Sequence, residues 1–266
     1  MANTNRDAVL KVFDGFRVEL DEYNDRRERL IKVSRDITNA SKKVIFLLHR
    51  LATAKIESGG TDFKSIAKQG RDKLIEIQAL FASIRGELDG ERFWSFQRAV
   101  SPGLQEYIEA LSFVHYLESG RLVTFREVQA SLTDESGIVY FPLPLDDYLL
   151  GVSDLTGELM RYAIVAISHR GGRNKAKEVC DFVRNCKADF ERFTPFVKFL
   201  SKKQAVTSQS LEKIEAAAYT IAIRRSEYGA SAEALEDLVS GYESSSGMER
   251  QGRGRGDVEG DDDMFP

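Results

Sequence analysis

Apolar residues recur at three- and four-residue steps over the first fifty positions: Val9, Val12, Phe13, Phe16, Leu20 and Tyr23, then Leu30, Val33, Ile37, Val44, Leu48 and Leu51. That spacing returns to one side of an α-helix and never settles into the two-residue alternation of a strand. No proline interrupts it. The pattern predicts one very long helix from about residue 5 to 55, or two helices with a small kink. Glu57-Ser58-Gly59-Gly60 supplies a stop, and Thr61-Asp62 can cap a second helix near 62–87. Asp89-Gly90 separates a third helix near 91–118, in which Pro102 predicts a kink or break near 100–103.

Beyond Gly120, Thr124 opens a short helix to about Leu132. Residues 133–144 hold Gly137, Pro142 and Pro144 and read as a loop, with at most a short strand at 138–141. Asp146 and Asp147 suit the first turn of a helix running to about Ser168. Gly171-Gly172 turns the chain into two further helices near 173–200 and 204–228, with Pro195 dividing or ending the first. Residues 240–266 are rich in Gly, Ser, Arg and Asp, and cannot bury enough surface to offset their ordering entropy. Arg253-Gly254-Arg255 hints at RNA contact there, but Asp261, Asp262 and Asp263 make a solubilising tail the better reading. The expected fold is therefore all-α: a single-domain bundle of about seven helices over 1–239, with a disordered C-terminal tail over 240–266.

Composition narrows the chemistry. With 42% hydrophobic and 30% charged residues in 266, the chain is an ordinary soluble one with length for a real core. A net charge of −4 excludes a uniformly basic nucleic-acid coat but leaves room for a local basic surface. Two cysteines, Cys180 and Cys186, form no CxxC pair, and with three histidines they argue against a zinc site. Residues 1–20 carry charges throughout and no run is long enough to span a membrane. The expected location is the cytoplasm, with access to the nucleus; Arg26-Arg27-Glu28-Arg29 is a weak import cluster. No GxGxxG or GxxxxGK[ST] loop is present, which argues against a nucleotide-binding α/β fold.

Two helices carry carboxylates where none is expected. In 104–117 (LQEYIEALSFVHYL) apolar groups surround nearly the whole helix, yet Glu106 and Glu109 lie within it and no Lys or Arg does. In 149–168 (LLGVSDLTGELMRYAIVAIS), Asp154 and Glu158 share a stripe with Asp147 and Gly151. Gly151 and Gly157 remove side chains nearby, which lets a helix or ligand approach. Burying an ionised carboxylate costs several kcal/mol unless it is paired. Four in one pocket would repel each other, and a divalent cation resolves this: an all-oxygen set of Glu106, Glu109, Asp154 and Glu158 suits Mg²⁺ or Mn²⁺. Such an ion is common apparatus for cleaving a phosphodiester. Taken singly, each acid is more simply a solvated or ion-paired residue, and Arg161 stands three residues from Glu158. A ferritin-like di-iron site is the rival metal reading, but no His follows a Glu by three residues.

A basic stretch supplies a second feature. Residues 26–50 hold eight Lys or Arg (26, 27, 29, 32, 35, 42, 43 and 50) against Glu28 and Asp36. Arg35, Lys42 and Lys43 fall on one side of the helix and can neutralise a nucleic-acid backbone. An ordinary solvated face is the simpler account of that stripe taken alone. Phe93, Trp94, Phe96 and Arg98 add groups that can stack on unpaired bases, although aromatics at this spacing more often belong to a core.

Three runs are specific enough to carry a resemblance: SRDITNASKKVIFLLHRL (34–51), GLQEYIEALSFVHYLESGRL (103–122) and DDYLLGVSDLTGELMRYAI (146–164). They resemble the translin family, in its translin-associated factor X branch, from about residue 8 to 228. The acidic pair Glu106 and Glu109 favours that branch over translin itself. The resemblance implies a seven-helix α bundle that assembles with translin into a hollow hetero-octamer. It implies a Mg²⁺-dependent endoribonuclease acting on single-stranded RNA, in removal of small-RNA passenger strands or in tRNA precursor processing, with single-stranded DNA left open as a ligand. It places the catalytic acids at Glu106, Glu109 and Asp154, with Glu158 as an added metal ligand. The chain departs from animal relatives in lacking a long basic N-terminal extension and in its short 133–144 loop. The contrasting expectation is a scaffold that stabilises translin and offers nucleic-acid surface, its acids merely structural.

Overall fold

The computed structural model describes the backbone of residues 2–60, 62–168 and 172–228, and side chains over 10–60, 62–167, 174–220 and at Ile223. The tail over 240–266 lies outside these residues. Among the described residues there are seven α-helices: α1 (Ala2–Glu57), α2 (Lys64–Ser83), α3 (Arg92–Ser119), α4 (Phe125–Ser131), α5 (Leu145–Ser168), α6 (Gly172–Glu191) and α7 (Leu200–Tyr228). A single 3-10 turn, Arg85–Glu87, follows α2.

The long first helix is unbroken, and at ~1.5 Å per residue it reaches roughly 84 Å. The single long helix expected from the pattern is therefore present, but its first half reaches beyond the bundle. Leu10, Val12, Phe13, Phe16, Val18 and Leu20 are each more than half exposed, although their spacing matches a core face. Tyr23 stacks on Phe96 at 4.6 Å, and burial is complete only from Leu30 onward.

Of the expected kink or break at Pro102, the break does not occur; α3 continues through it. The reason is a bridging hydroxyl from α1. Ser34 Oγ accepts from the Gly103 N–H at 3.0 Å and donates to the Val100 carbonyl at 3.4 Å, tying the backbone around the proline. Gly103 is required for this approach, since a Cβ there would sit 2.7 Å from the Ser34 carbonyl.

Contacts set the directions. Along α1 and α3 the pairs Ser34–Val100, Lys42–Glu106 and His49–Phe113 advance together, so these helices are parallel. Asp147 meets Gln105, and Tyr162 meets Tyr116, so α5 is parallel to α3. Ser153–Gln204 and Thr156–Thr207 make α7 parallel to α5. α2 runs against α3, with Gln78 on Tyr107 and Gly70 against Val114. Parallel α3 and α5 need a return path, which 120–144 provides: Phe141 lands on Phe81 at 4.8 Å and Phe93 at 5.3 Å. The expected loop there holds one isolated bridge, Thr133 to Val139, in place of a strand.

Other boundaries shift modestly. Thr124 and Glu127 cap α4 reciprocally. Gly172 is the first residue of α6, and the rest of the expected turn, at Gly171, lies outside the described residues. α6 stops at Glu191, short of the expected 200, and Pro195 lies in the turns that follow. Both cysteines are free and buried, and burial pushes the Cys186 thiol up to about 12.

Candidate functional site

Helical register places the four acids along the groove between two parallel helices, α3 and α5, and their cationic neighbours come from α1, α5 and α7. On α3, Gln105 donates to Asp147 Oδ1 at 2.8 Å, which fixes that stripe toward α5. Glu109 lies one turn further along the same stripe and is 5% exposed. Glu106 turns toward α1, where Lys42 Nζ stands 3.8 Å from its Oε2. On α5, Gly151 presses against the Gln105 carbonyl and Ile108, close enough that a Cβ would clash at 2.8 Å. This close approach, expected from the glycine, sets the depth of the groove. Gly157 behaves differently: nothing lies within 4 Å of its Cβ position.

One turn after Gly151, Asp154 is ion-paired with Lys203 of α7. One turn further, Glu158 is almost wholly buried at 2% and lies 2.7 Å from His49 Nε2 of α1. Arg161 adds a second cation 3.5 Å from the same Glu158 oxygen, as its i,i+3 position foretold. His49 also packs on Phe113 at 4.7 Å, so its ring is fixed. Lysines or a histidine from two flanking helices thus reach acids presented by two central ones.

Asp147 shares the α5 stripe but has another task. It accepts from Ser101 at 2.5 Å, Gln105 at 2.8 Å and Gln97 at 3.2 Å, all neutral donors on α3. It is a clamp between two parallel helices. The i,i+4,i+8 spacing of Gln97, Ser101 and Gln105 is the sequence signal that could have shown it. His49 and Lys203 were missed because their acids are far away in sequence.

The donor chemistry suits a hard divalent cation, but the spacing in this arrangement does not: among the described residues no three His, Cys, Asp or Glu side chains form a group that could hold a metal ion. Ser112, one turn beyond Glu109 on its stripe, buries a hydroxyl with no hydrogen-bond partner.

The proposed nucleic-acid residues lie outside this groove or at its rim. Arg35, Lys42 and Lys43 are exposed on α1, and Arg98 is exposed on α3. Lys42 joins that stripe to the acids through Glu106. Phe93 and Phe96 are core residues at 1% and 5% exposure and cannot stack on bases, whereas Trp94 is 65% exposed.

The translin family model matches residues 25–225. The chain belongs to the translin family. It is 38% identical to translin-associated protein X of Rattus norvegicus over 239 residues, covering 82% of this chain and 80% of the relative. A translin-associated protein X homolog of Schizosaccharomyces pombe is 32% identical, covering 81% and 89%. Translin of Mus musculus is 24% identical, covering 82% and 94%. Within the translin family the chain therefore sides with translin-associated protein X. The crystal structure of apo-NeC3PO superposes with a TM-score of 0.60 at 20% identity, covering 79% of this chain and 96% of that one. The AfC3PO–duplex RNA complex gives 0.57 at 22% identity, covering 81% and 98%. At these identities the two structures attest the fold. Among the described residues no helix is long and apolar enough to cross a membrane.

Proposed function

We propose that the chain is the RNA-cleaving subunit of a hetero-oligomer with translin, octameric in its complete form. It acts on single-stranded RNA in the cytoplasm or nucleus, in small-RNA passenger-strand removal or tRNA precursor processing. The observation that carries this reading is the groove just described, where carboxylates from two parallel helices meet cations from two others. A bundle needs no such set for stability, because replacing buried ion pairs by apolar groups is often neutral.

In this reading Glu109, the most buried acid on α3, accepts a proton from the attacking nucleophile. His49 holds Glu158 in place, and Lys42 and Lys203 bring positive charge to the phosphate while leaving Glu106 and Asp154. Mg²⁺ or Mn²⁺, when bound, would supply a Lewis acid and a more acidic water. Glu106, Glu109, Asp154 and Glu158 are the oxygen donors of the right chemistry for it, although no three of them are grouped to hold an ion in this arrangement. Selectivity for unpaired RNA would come from a site inside the assembly that a duplex cannot enter or bend into.

The test is cleavage of single-stranded RNA by the chain co-purified with translin, with Mg²⁺ and with EDTA. Glu109→Gln and Asp154→Asn should each lower the rate by about a hundredfold or more while the complex elutes unchanged. Parent-like rates in both variants would remove the assignment. The scaffold reading has one observation in its favour: Lys42, His49, Arg161 and Lys203 already neutralise three of the acids. It predicts that both variants lose stability or assembly instead.

A further inference from the structure

The link between α6 and α7 has an unusual surface. Phe193, Phe196 and Phe199 are 44%, 82% and 52% exposed, within seven residues. Successive turns position them. The N–H of Phe193 bonds the Phe190 carbonyl and the N–H of Phe196 bonds that of Phe193, each at 2.9 Å. These turns space Phe193 and Phe196 three residues apart on the exposed link. Phe199 adopts φ +69°, a conformation that bulky L residues rarely take. It is held there with its ring beneath two ammonium groups, Lys198 at 4.9 Å and Lys202 at 5.6 Å.

Exposed rings of this number call for a partner, and the charges decide which kind. Residues 192–203 (RFTPFVKFLSKK) carry four Lys or Arg and no acid, in a chain whose net charge is −4. An apolar protein face laid over these rings would strip water from the ammonium groups and give them nothing in return. A single nucleic-acid strand answers both features, because bases stack on the rings and phosphates meet the lysines. The loop also leads directly to the acidic groove. Lys203, which pairs with Asp154, is four residues beyond Phe199, or ~6 Å along α7.

We propose that the loop 192–199 is a stacking platform for unpaired RNA bases, which delivers the adjoining phosphate to Asp154. The platform rests on the cleavage reading for its purpose, but not for its binding. A strand stacked on Phe199 and Phe196 passes Lys202 and Lys203 before it reaches the groove. Duplex RNA, whose bases are already stacked, gains nothing from the rings.

The experiment uses the full chain co-purified with translin, in EDTA, so that cleavage does not intrude. A fluorescein-labelled single-stranded RNA of mixed sequence is titrated by anisotropy, and a 5-iodouridine version is cross-linked with light. Phe193→Ala/Phe196→Ala should weaken single-strand binding about tenfold and leave duplex binding alone. Lys198→Ala/Lys202→Ala should lower the slope of log Kd against log salt by about 1 to 2. The cross-link should fall on the tryptic peptide 193–198. Binding within twofold of the parent together with no cross-link on that peptide overturns the proposal. So does loss of the translin complex on gel filtration in the Phe variant, which would assign the rings to a protein contact. Should these binding results hold while no form cleaves RNA, the platform stands and only the catalytic reading falls.

Discussion

The two sides of α3 solve burial in opposite ways. Toward α2 and the returning segment, the helix packs Leu104, Tyr107, Leu111 and Val114 against apolar neighbours. The one hydroxyl among these accepts from Gln78 Nε2 and donates to Ser131 Oγ, both at 2.9 Å. Burial pushes the Tyr107 phenol up to about 12, so this interior stays neutral at any ordinary pH, and the ion pairs of this side, Arg71–Glu118 and Arg121–Glu127, lie at its exposed rim. Toward α1 and α5, the same helix presents Glu106 and Glu109, and the groove is held by full charges from four helices. A side built only for stability closes with neutral donors, as even the buried Asp147 does against Gln97, Ser101 and Gln105. Charges drawn from several elements mark the side with another task.

The comparison breaks most easily at the neutral side. Phe81 is fully buried and touches Tyr107 at 5.3 Å and Phe141 at 4.8 Å, joining α2, α3 and the returning segment. Phe81→Ala should cost about 3–5 kcal/mol in urea unfolding of the complex, through lost contacts and the cavity left behind. A loss below ~1 kcal/mol would show that this side collapses freely and is not a rigid wall for the acids.

The charged side should give a smaller effect of a different kind. His49→Ala removes the 2.7 Å contact to the buried Glu158 carboxyl and should cost about 2–3 kcal/mol. Glu158→Gln in the same background should restore part of that loss, since no charge is then stranded. Strictly additive effects in the double variant would mean that the pair is not coupled, and the groove would lose its anchor to α1.

Helices and their order were legible because period-3.6 patterns are local. The acids were legible for the same reason: Glu106, Glu109, Asp154 and Glu158 violate the apolar surroundings of their own helices. What answers them was not legible. His49 and Lys203 stand 109 and 49 positions from their partners, and nothing near either of them announces the pairing. At Val12 to Leu20 the apolar spacing gave the helix but not its exposure, because that helix outruns the bundle. The continuity of α3 through Pro102 was not legible, because the hydroxyl that ties the backbone there, Ser34, belongs to another helix. The Phe193–Phe199 loop, with a ring at every third position, shows as a surface only when exposure is known.

The finest prediction concerns α4, which closes the neutral side. Glu127 accepts from Arg121, 2.8 Å away, and from the Thr124 N–H and hydroxyl, each at 2.8 Å. These bonds, Arg121 first, hold its carboxyl down at about 2. The folded value lies below the unfolded one, so the contribution is complete above about pH 4.5 and is lost as pH falls toward 2. The side chain is 37% exposed, so solvent screens the pairing and the gain is expected to stay below ~1 kcal/mol. The difference in unfolding free energy between the parent and Glu127→Gln should therefore be constant from pH 8 to 5 and shrink on acidification below that. A difference that widens toward pH 3 would mean that Glu127 is not held as a carboxylate. The neutral side would then owe nothing to the charged cap of α4.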